Sequence, residues 1–378
     1  MILYSPIKGN NMKKLTKEQV LRKLERNNNR LARILKSYNI SKINMICCGN
    51  SISSGFSFTS NTKPLLFRNE NIEDIFSENL IDLNRYHFAR AEDNNDEHIL
   101  SYLLNDTKLS EICKLNRFDL TAMKATGVDE SNIDELYPLN DDTTIKGLIS
   151  DYDSSNIIIY NGATGSFLDN VTRGGKHYLT HGIKRDCTSI EAFLKYIQEY
   201  NRVNGTNIQV YLCGAPSLLK ASDLFINTRL KDISKKYANV VYVENIPKKL
   251  LYKKENGVIT PDTHYDEEEY LNLNNKIIEK IIKNYLITNM LINIDRGVYN
   301  LNKEYQLGEI TIDDVQVGTS EIIDFNIIAN QEKFKALGID LKKVLKEVRE
   351  YLVNRTPYDF YYSGKRNIKM SINKHIKK

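Results

Sequence analysis

Along residues 43–243 of this chain, short segments rich in β-branched residues alternate with helical stretches. The segments are Ile43–Cys48, Leu80–Ala89, Asn156–Tyr160, Ile208–Cys213 and Val240–Val243. Ser189–Tyr200 and Ser217–Tyr237 are the clearest helical stretches between them. Near-continuous apolar runs are what strands need when both of their faces are covered, and strands separated by helices predict βαβ units. The expected fold class is therefore α/β, a parallel sheet with helices on both faces. In such a sheet a ligand sits at the carboxyl ends of the strands. The loops at those ends are Gly49-Asn50-Ser51, Glu92-Asp93-Asn94-Asn95, Asn161-Gly162-Ala163-Thr164-Gly165 and Gly214-Ala215-Pro216.

Both flanks of this core carry a helix. Val20, Leu21, Leu24, Leu31, Ala32, Ile34 and Leu35 recur at helical spacing, with a start at Thr16 or Lys17 and Glu18 in the first turn, which predicts an amphipathic helix in residues 1–40 ahead of the main domain. Tyr270, Leu271, Leu273, Ile277, Ile278, Ile281, Ile282 and Leu286 predict a second helix that closes the domain near Met290, so the main domain is read as residues 41–290. Within it, residues 105–153 form a long insertion that reads as a substrate lid or cap. Residues 291–378 are a small α+β extension of unassigned role. In it Leu291–Ile312 looks extended or irregular, Asp340–Val353 is periodic as a helix, and Thr356–Lys378 is aromatic and basic.

Composition removes several function classes. With 41% hydrophobic and 27% charged residues, the 378-residue chain is ordinary for a globular protein, and no apolar run reaches the ~18 residues that span a bilayer. No membrane span is expected, and the first residues do not read as a secretory signal. Cys47 and Cys48 are adjacent, so on a strand they point to opposite faces. Cys113, Cys187 and Cys213 are scattered without CxxC spacing. This usage predicts reduced thiols rather than a disulfide framework or zinc site, and a cytoplasmic address. The net charge of +5 is modest, and its basic clusters at Lys13–Arg33 and Lys365–Lys378 read as a solvated helix and a tail, so nucleic acid is not an expected partner. Oligomeric state has no sequence signature here.

The first strand ends at Gly49-Asn50-Ser51 and is followed by Ser53, Ser54 and Gly55. Glycine and small residues permit a tight turn and leave space beside a hydroxyl. A serine becomes nucleophilic when a base takes its proton, and histidine suits that role because it titrates near neutrality. His264, in Pro261-Asp262-Thr263-His264-Tyr265 just before the closing helix, is the candidate base.

This arrangement resembles the SGNH (GDSL-like) hydrolase superfamily over roughly Ile43–Leu286. Its members are serine esterases, lipases and carbohydrate deacetylases on a five-stranded, three-layer α/β/α sandwich. The family's Gly-Asp-Ser block is matched by Gly49-Asn50-Ser51, with asparagine for aspartate. Its second block, which usually supplies a glycine N–H, falls at Ala91–Asp96, where there is no glycine and the donor would be Asn94 or Asn95. Its Gly-x-Asn block is matched by Gly162-Ala163-Thr164, with threonine in place of the amide. Its Asp-x-x-His block is matched by Asp262-Thr263-His264, one residue shorter. The resemblance implies a catalytic set of Ser51, His264 and Asp262, with Asn94, Asn95, Gly162 and Thr164 around the oxyanion or substrate. It implies an esterase or deacylase acting on a small-molecule or glycan ester, of an O-acetyl or other short acyl group, with no metal or organic cofactor.

Other readings compete. The same nucleophile would serve acyl transfer to an alcohol, and the altered blocks would suit a catalytically weakened binding or scaffold module. His177 and His181, four apart, and the alternation of Asp262, His264 and Asp266 are possible metal ligands. Asn161–Gly165 could cradle a phosphate, and Arg85, Arg90 and Arg173 could meet an anionic substrate.

Overall fold

The structure, a computed structural model, describes residues 16–56, 61–90, 97–122, 127, 130–161, 183–216, 221–237, 239–244, 246, 251–255, 258–262, 264–294, 298–300, 308–317, 320–329, 358–365 and 367–375. Strands β1 (Lys42–Gly49), β2 (Asp82–Ala89), β3 (Ser155–Asn161), β4 (Gln209–Cys213) and β5 (Val240–Val243) form an all-parallel sheet in the order β2-β1-β3-β4-β5. The α/β expectation is met, and each strand lies within two residues of its sequence-predicted segment. The chain leaves β1 toward one edge to make β2 and returns past it to make β3. The topological switch point thus lies between the carboxyl ends of β1 and β3.

Alternation along the strands feeds two cores. Ile46, Cys48, Phe88, Ile158, Tyr160, Val210 and Leu212 face one layer. That layer comprises α3 (Glu97–Leu104), α4 (Leu109–Ala122), α5 (Ile133–Leu136), α6 (Ile145–Ile149), α7 (Ile183–Asn204) and α8 (Ala221–Ser234). Ile43, Met45, Cys47, Ile157, Ile159, Tyr211 and Cys213 face the other, built from α1 (Lys17–Ser37), α2 (Ile72–Glu78) and α9 (Glu267–Ile294). Cys47 and Cys48 do face opposite sides. Burial raises the thiol pKa of Cys47 and of Cys113 to about 12, so both stay protonated near neutrality.

Two segments set apart by the sequence belong to these layers. Helix α1 starts at a Thr16 capping box with Gln19 and buries Val20, Leu24, Leu31, Ala32, Ile34 and Leu35 in the second core. Buried amides fasten it: Asn27 Nδ2 donates to Asn275 Oδ1 (3.2 Å), Asn275 Nδ2 to the Val20 carbonyl (3.1 Å), and Asn28 and Asn69 exchange hydrogen bonds. In residues 105–153, Leu109, Ile112, Cys113, Leu120, Leu136, Tyr137, Ile145, Leu148 and Ile149 are buried in the first core. This stretch covers a face of the sheet.

A row of amides sets the strand register. Asn84 Nδ2 donates to Asn44 Oδ1 (3.3 Å), and Asn44 Nδ2 donates to Asn156 Oδ1 (3.0 Å). Both pairs are also register partners, so a slip of β2 or β3 against β1 would strand these amides inside the sheet.

Beyond the parallel sheet, β6 (Leu251–Glu255) and β7 (Val258–Asp262) form a hairpin. Strands β8 (Val298–Asn300), β9 (Gly308–Val317), β10 (Ser320–Ala329), β11 (Tyr358–Lys365) and β12 (Asn367–His375) form an antiparallel sheet in the order β11-β12-β10-β9-β8. Leu291–Ile312, read as extended or irregular, is extended where β8 and β9 run, whereas α9 continues to Ile294 at its start. The short apolar–polar alternation Glu309-Ile310-Thr311-Ile312 carries the strand signal there. Asp340–Val353 lies outside the described residues. Among those described, no helix is long and apolar enough to cross a membrane.

His87, on β2, is buried, and among the described residues neither ring nitrogen has a hydrogen-bond partner. Burial pulls its pKa down from 6.5 to about 3. The unfolded chain therefore takes up a proton between those values that the native chain refuses, so stability is full above about pH 6.5 and falls as the pH drops toward 3. Urea unfolding at pH 7.5, 6 and 5 should show this fall. In His87→Phe it should be shallower by up to about 1.4 kcal/mol per pH unit; an unchanged slope would contradict the assignment.

Candidate functional site

The turn after β1 is built by its own short side chains. Gly49 has φ +135°, and a Cβ there would collide with the Asn161 carbonyl at the end of β3. Glycine thus lets the two strand ends close, and Asn50 N–H donates to that same carbonyl (3.3 Å). From Asn50 the chain coils: Ser54 N–H donates to the Asn50 carbonyl (3.0 Å) and Phe56 N–H to that of Ser51 (3.0 Å). Asn50 Oδ1 accepts from Ile52 N–H (3.2 Å), Ser53 Oγ donates to the Cys48 carbonyl (2.9 Å), and Ser54 Oγ to that of Ser51 (3.0 Å). Asn50, Ser53 and Ser54 are buried, whereas Ser51 is half-buried.

The coil is held from outside by Arg68, which ends a 3-10 turn at Leu65–Arg68 and is buried. Its Nη2 donates to the Gly55 (3.0 Å) and Asn61 carbonyls, its Nε donates to the Lys63 carbonyl (2.9 Å), and its Nη1 meets Glu267. The guanidinium carbon lies 4.2 Å from the centroid of the Tyr270 ring. Tyr270 Oη in turn donates to the Phe56 carbonyl (3.1 Å). From the other layer, Tyr137 Oη donates to the Ser54 carbonyl (3.2 Å). The first turn of α9 is thereby tied to the serine coil.

This tie brings His264 to the site. Asp266 and Glu269 cap α9 reciprocally, the N–H of each donating to the carboxylate of the other (both 2.8 Å). His264, two residues upstream, is buried, with its ring centroid 5.0 Å from that of Phe56 and tilted by 52°. Phe56 is the last residue of the serine coil: its N–H bonds the Ser51 carbonyl while its ring packs on His264. Among the described residues no hydrogen bond joins Ser51 Oγ to His264. Such bonds commonly tighten only once substrate is bound.

Asp262 ends β7 opposite Leu251, and its side chain lies outside the described residues. So do Asn94, Asn95, Gly162, Thr164, Arg173, His177 and His181. Asp266 is engaged as a helix cap, and among the described residues no cluster of three or more His, Cys, Asp or Glu is arranged to hold a metal. Arg85 pairs with Glu73, donates to the Leu66 carbonyl (3.0 Å) and lies over the Phe67 ring, well before the strand end. Arg90 extends the site differently: its N–H donates to the Gly49 carbonyl (3.3 Å) and its guanidinium grips buried Asp119 of α4 (2.9 Å). Arg68, Tyr137 and Phe56 carry no motif, and only their partners reveal their part.

No protein family, curated protein or solved structure matches the chain.

Replacing Arg68 would leave three carbonyls and Glu267 without their cation. Arg68→Ala should lower unfolding free energy in urea by about 3–5 kcal/mol, with little rescue by Arg68→Lys because an ammonium cannot span the fork. Arg22→Ala, which removes an exposed pair with Glu18, should cost under about 1 kcal/mol.

Proposed function

We propose that this chain is a serine hydrolase of esters, with Ser51 as nucleophile and His264 as general base. The observation that carries the reading is the coil at the switch point of the sheet: it presents Ser51 between the ends of β1 and β3, and the Arg68 tie brings His264 against the same coil through Phe56. Ligands of open parallel sheets bind in this crevice.

In the proposed reaction Ser51 Oγ forms a bond to the acyl carbon while His264 takes the hydroxyl proton. The carbonyl oxygen gains the displaced electron pair. Collapse expels the alcohol, protonated by His264, and leaves the acyl group on Ser51. Water then attacks with His264 again as base and frees the acid. Ser51 N–H stands in the first turn of the coil, where backbone donors lack intrahelical acceptors, and would take the oxyanion together with donors from the Asn94–Asn95 and Gly162–Thr164 loops. Asp262 would orient His264. The reading extends to a short acyl group on a small-molecule or glycan alcohol, without metal or organic cofactor.

Intact-mass analysis after treatment with a fluorophosphonate, followed by peptide mapping, tests this. One adduct per chain at Ser51 is expected, absent from Ser51→Ala and formed at least ~10²-fold more slowly in His264→Ala. Folded protein that stays unlabelled, or labels elsewhere, would overturn the assignment and favour a binding module.

A further inference from the structure

Asn161 is the last residue of β3 and the register partner of Gly49. Its carbonyl accepts from Asn50 N–H, but its side chain is unused: Asn161 is 1% exposed, and among the described residues neither Oδ1 nor Nδ2 has a hydrogen-bond partner. Most buried amides in this chain are satisfied, including Asn44, Asn156, Asn227, Asn274 and Asn275. Asn161 departs from that practice at the switch point, one strand pairing away from the candidate serine. A buried amide with both atoms unpaired is costly, and its place at the switch point, where ligands of such sheets bind, fits a partner supplied there.

We infer that Asn161 is a specificity-determining residue that binds a neutral ligand group through both of its amide atoms. Nδ2 donates and Oδ1 accepts, so the matching group must accept and donate side by side. A carboxamide does this, and so does an alcohol hydroxyl; an oxyanion or a simple ester oxygen satisfies only Nδ2. The inference rests on the esterase reading in placing this group on the substrate beside the scissile ester, and it narrows the substrate class to esters carrying a neighbouring hydroxyl or amide.

The test uses the full chain and two readouts. First, the Asn161 side-chain amide signal, assigned in ¹H–¹⁵N spectra by its loss in Asn161→Leu, is followed during titration with acetamide, ethylene glycol and ethyl acetate. Acetamide or ethylene glycol should shift it saturably, and ethyl acetate, which engages Nδ2 alone, should do so at least ~10-fold more weakly. The member of the first pair that acts tells amide from hydroxyl. Second, Asn161→Leu should lose at least ~10-fold of any preference in kcat/KM for glycerol monoacetate over ethyl acetate, while its melting temperature stays equal or rises because an unsatisfied amide has gone. A signal that no probe moves would overturn the inference, as would a melting temperature lowered by several degrees, the mark of an amide satisfied by buried water. The two readings fail separately. Ser51 labelled by fluorophosphonate with an unmoved amide signal sinks the Asn161 role alone, and a moved signal with Ser51 unlabelled sinks the esterase alone.

Discussion

The guanidinium of Arg68 is the interaction on which the arrangement of the site depends. It is buried, it gathers carbonyls from Gly55, Asn61 and Lys63, and it joins them to Glu267 at the start of α9. A buried cation is costly to desolvate and persists only where its donors are all used. That requirement makes it selective: one placement of the Gly55, Asn61 and Lys63 carbonyls and one position of the α9 start satisfy it together. Phe56 and Tyr270 complete the joint, since the tyrosine hydroxyl bonds the Phe56 carbonyl while its ring receives the guanidinium. Through this joint Phe56, bonded by its N–H to the Ser51 carbonyl, packs its ring on His264, 213 positions from Ser51 in the chain.

The sheet supplies the other half of the constraint. Apolar alternation fills two cores and fixes which side chains face which layer, but it says little about register between parallel strands of similar composition. The Asn84-Asn44-Asn156 row does, because buried Asn44 bonds both neighbours only in the observed pairing. With register fixed, Gly49 must end opposite Asn161, and the missing Cβ lets the two strand ends touch. The serine coil therefore begins at a defined point on the rim of the sheet.

The strands, their parallel pairing and the closing helix were legible in the sequence because long-range order there follows from local periodicity: Ile157–Ile159 or Tyr270–Ile282 have one way to bury themselves. The serine turn was legible because glycine and small polar residues at a strand end have few other uses. Arg68, Tyr137 and the α1 amides were not, since their partners lie 41 to 255 residues away or depend on a loop path that no pattern encodes. Helix α1 reads as a preceding segment because nothing in its amphipathic pattern names the surface it covers. Residues 105–153 read as a lid for a related reason: length alone does not distinguish an insertion that closes over a site from one that covers a sheet face. Asn161 reads in the sequence only as part of a strand-end loop, because a strand-end asparagine is unremarkable until its amide is found buried and unpaired among the described residues.

The central claim is that one coil brings a nucleophile and a base together at the switch point of the sheet. A crystal structure of the chain after reaction with a short-alkyl fluorophosphonate tests it most directly. The account predicts phosphorus bonded to Ser51 Oγ, with a nitrogen of His264 within about 2.6–3.2 Å of that oxygen or of a water beside it and Phe56 still packed on the imidazole. An adduct on another residue, or His264 turned away with its ring held elsewhere in the fold, would contradict it.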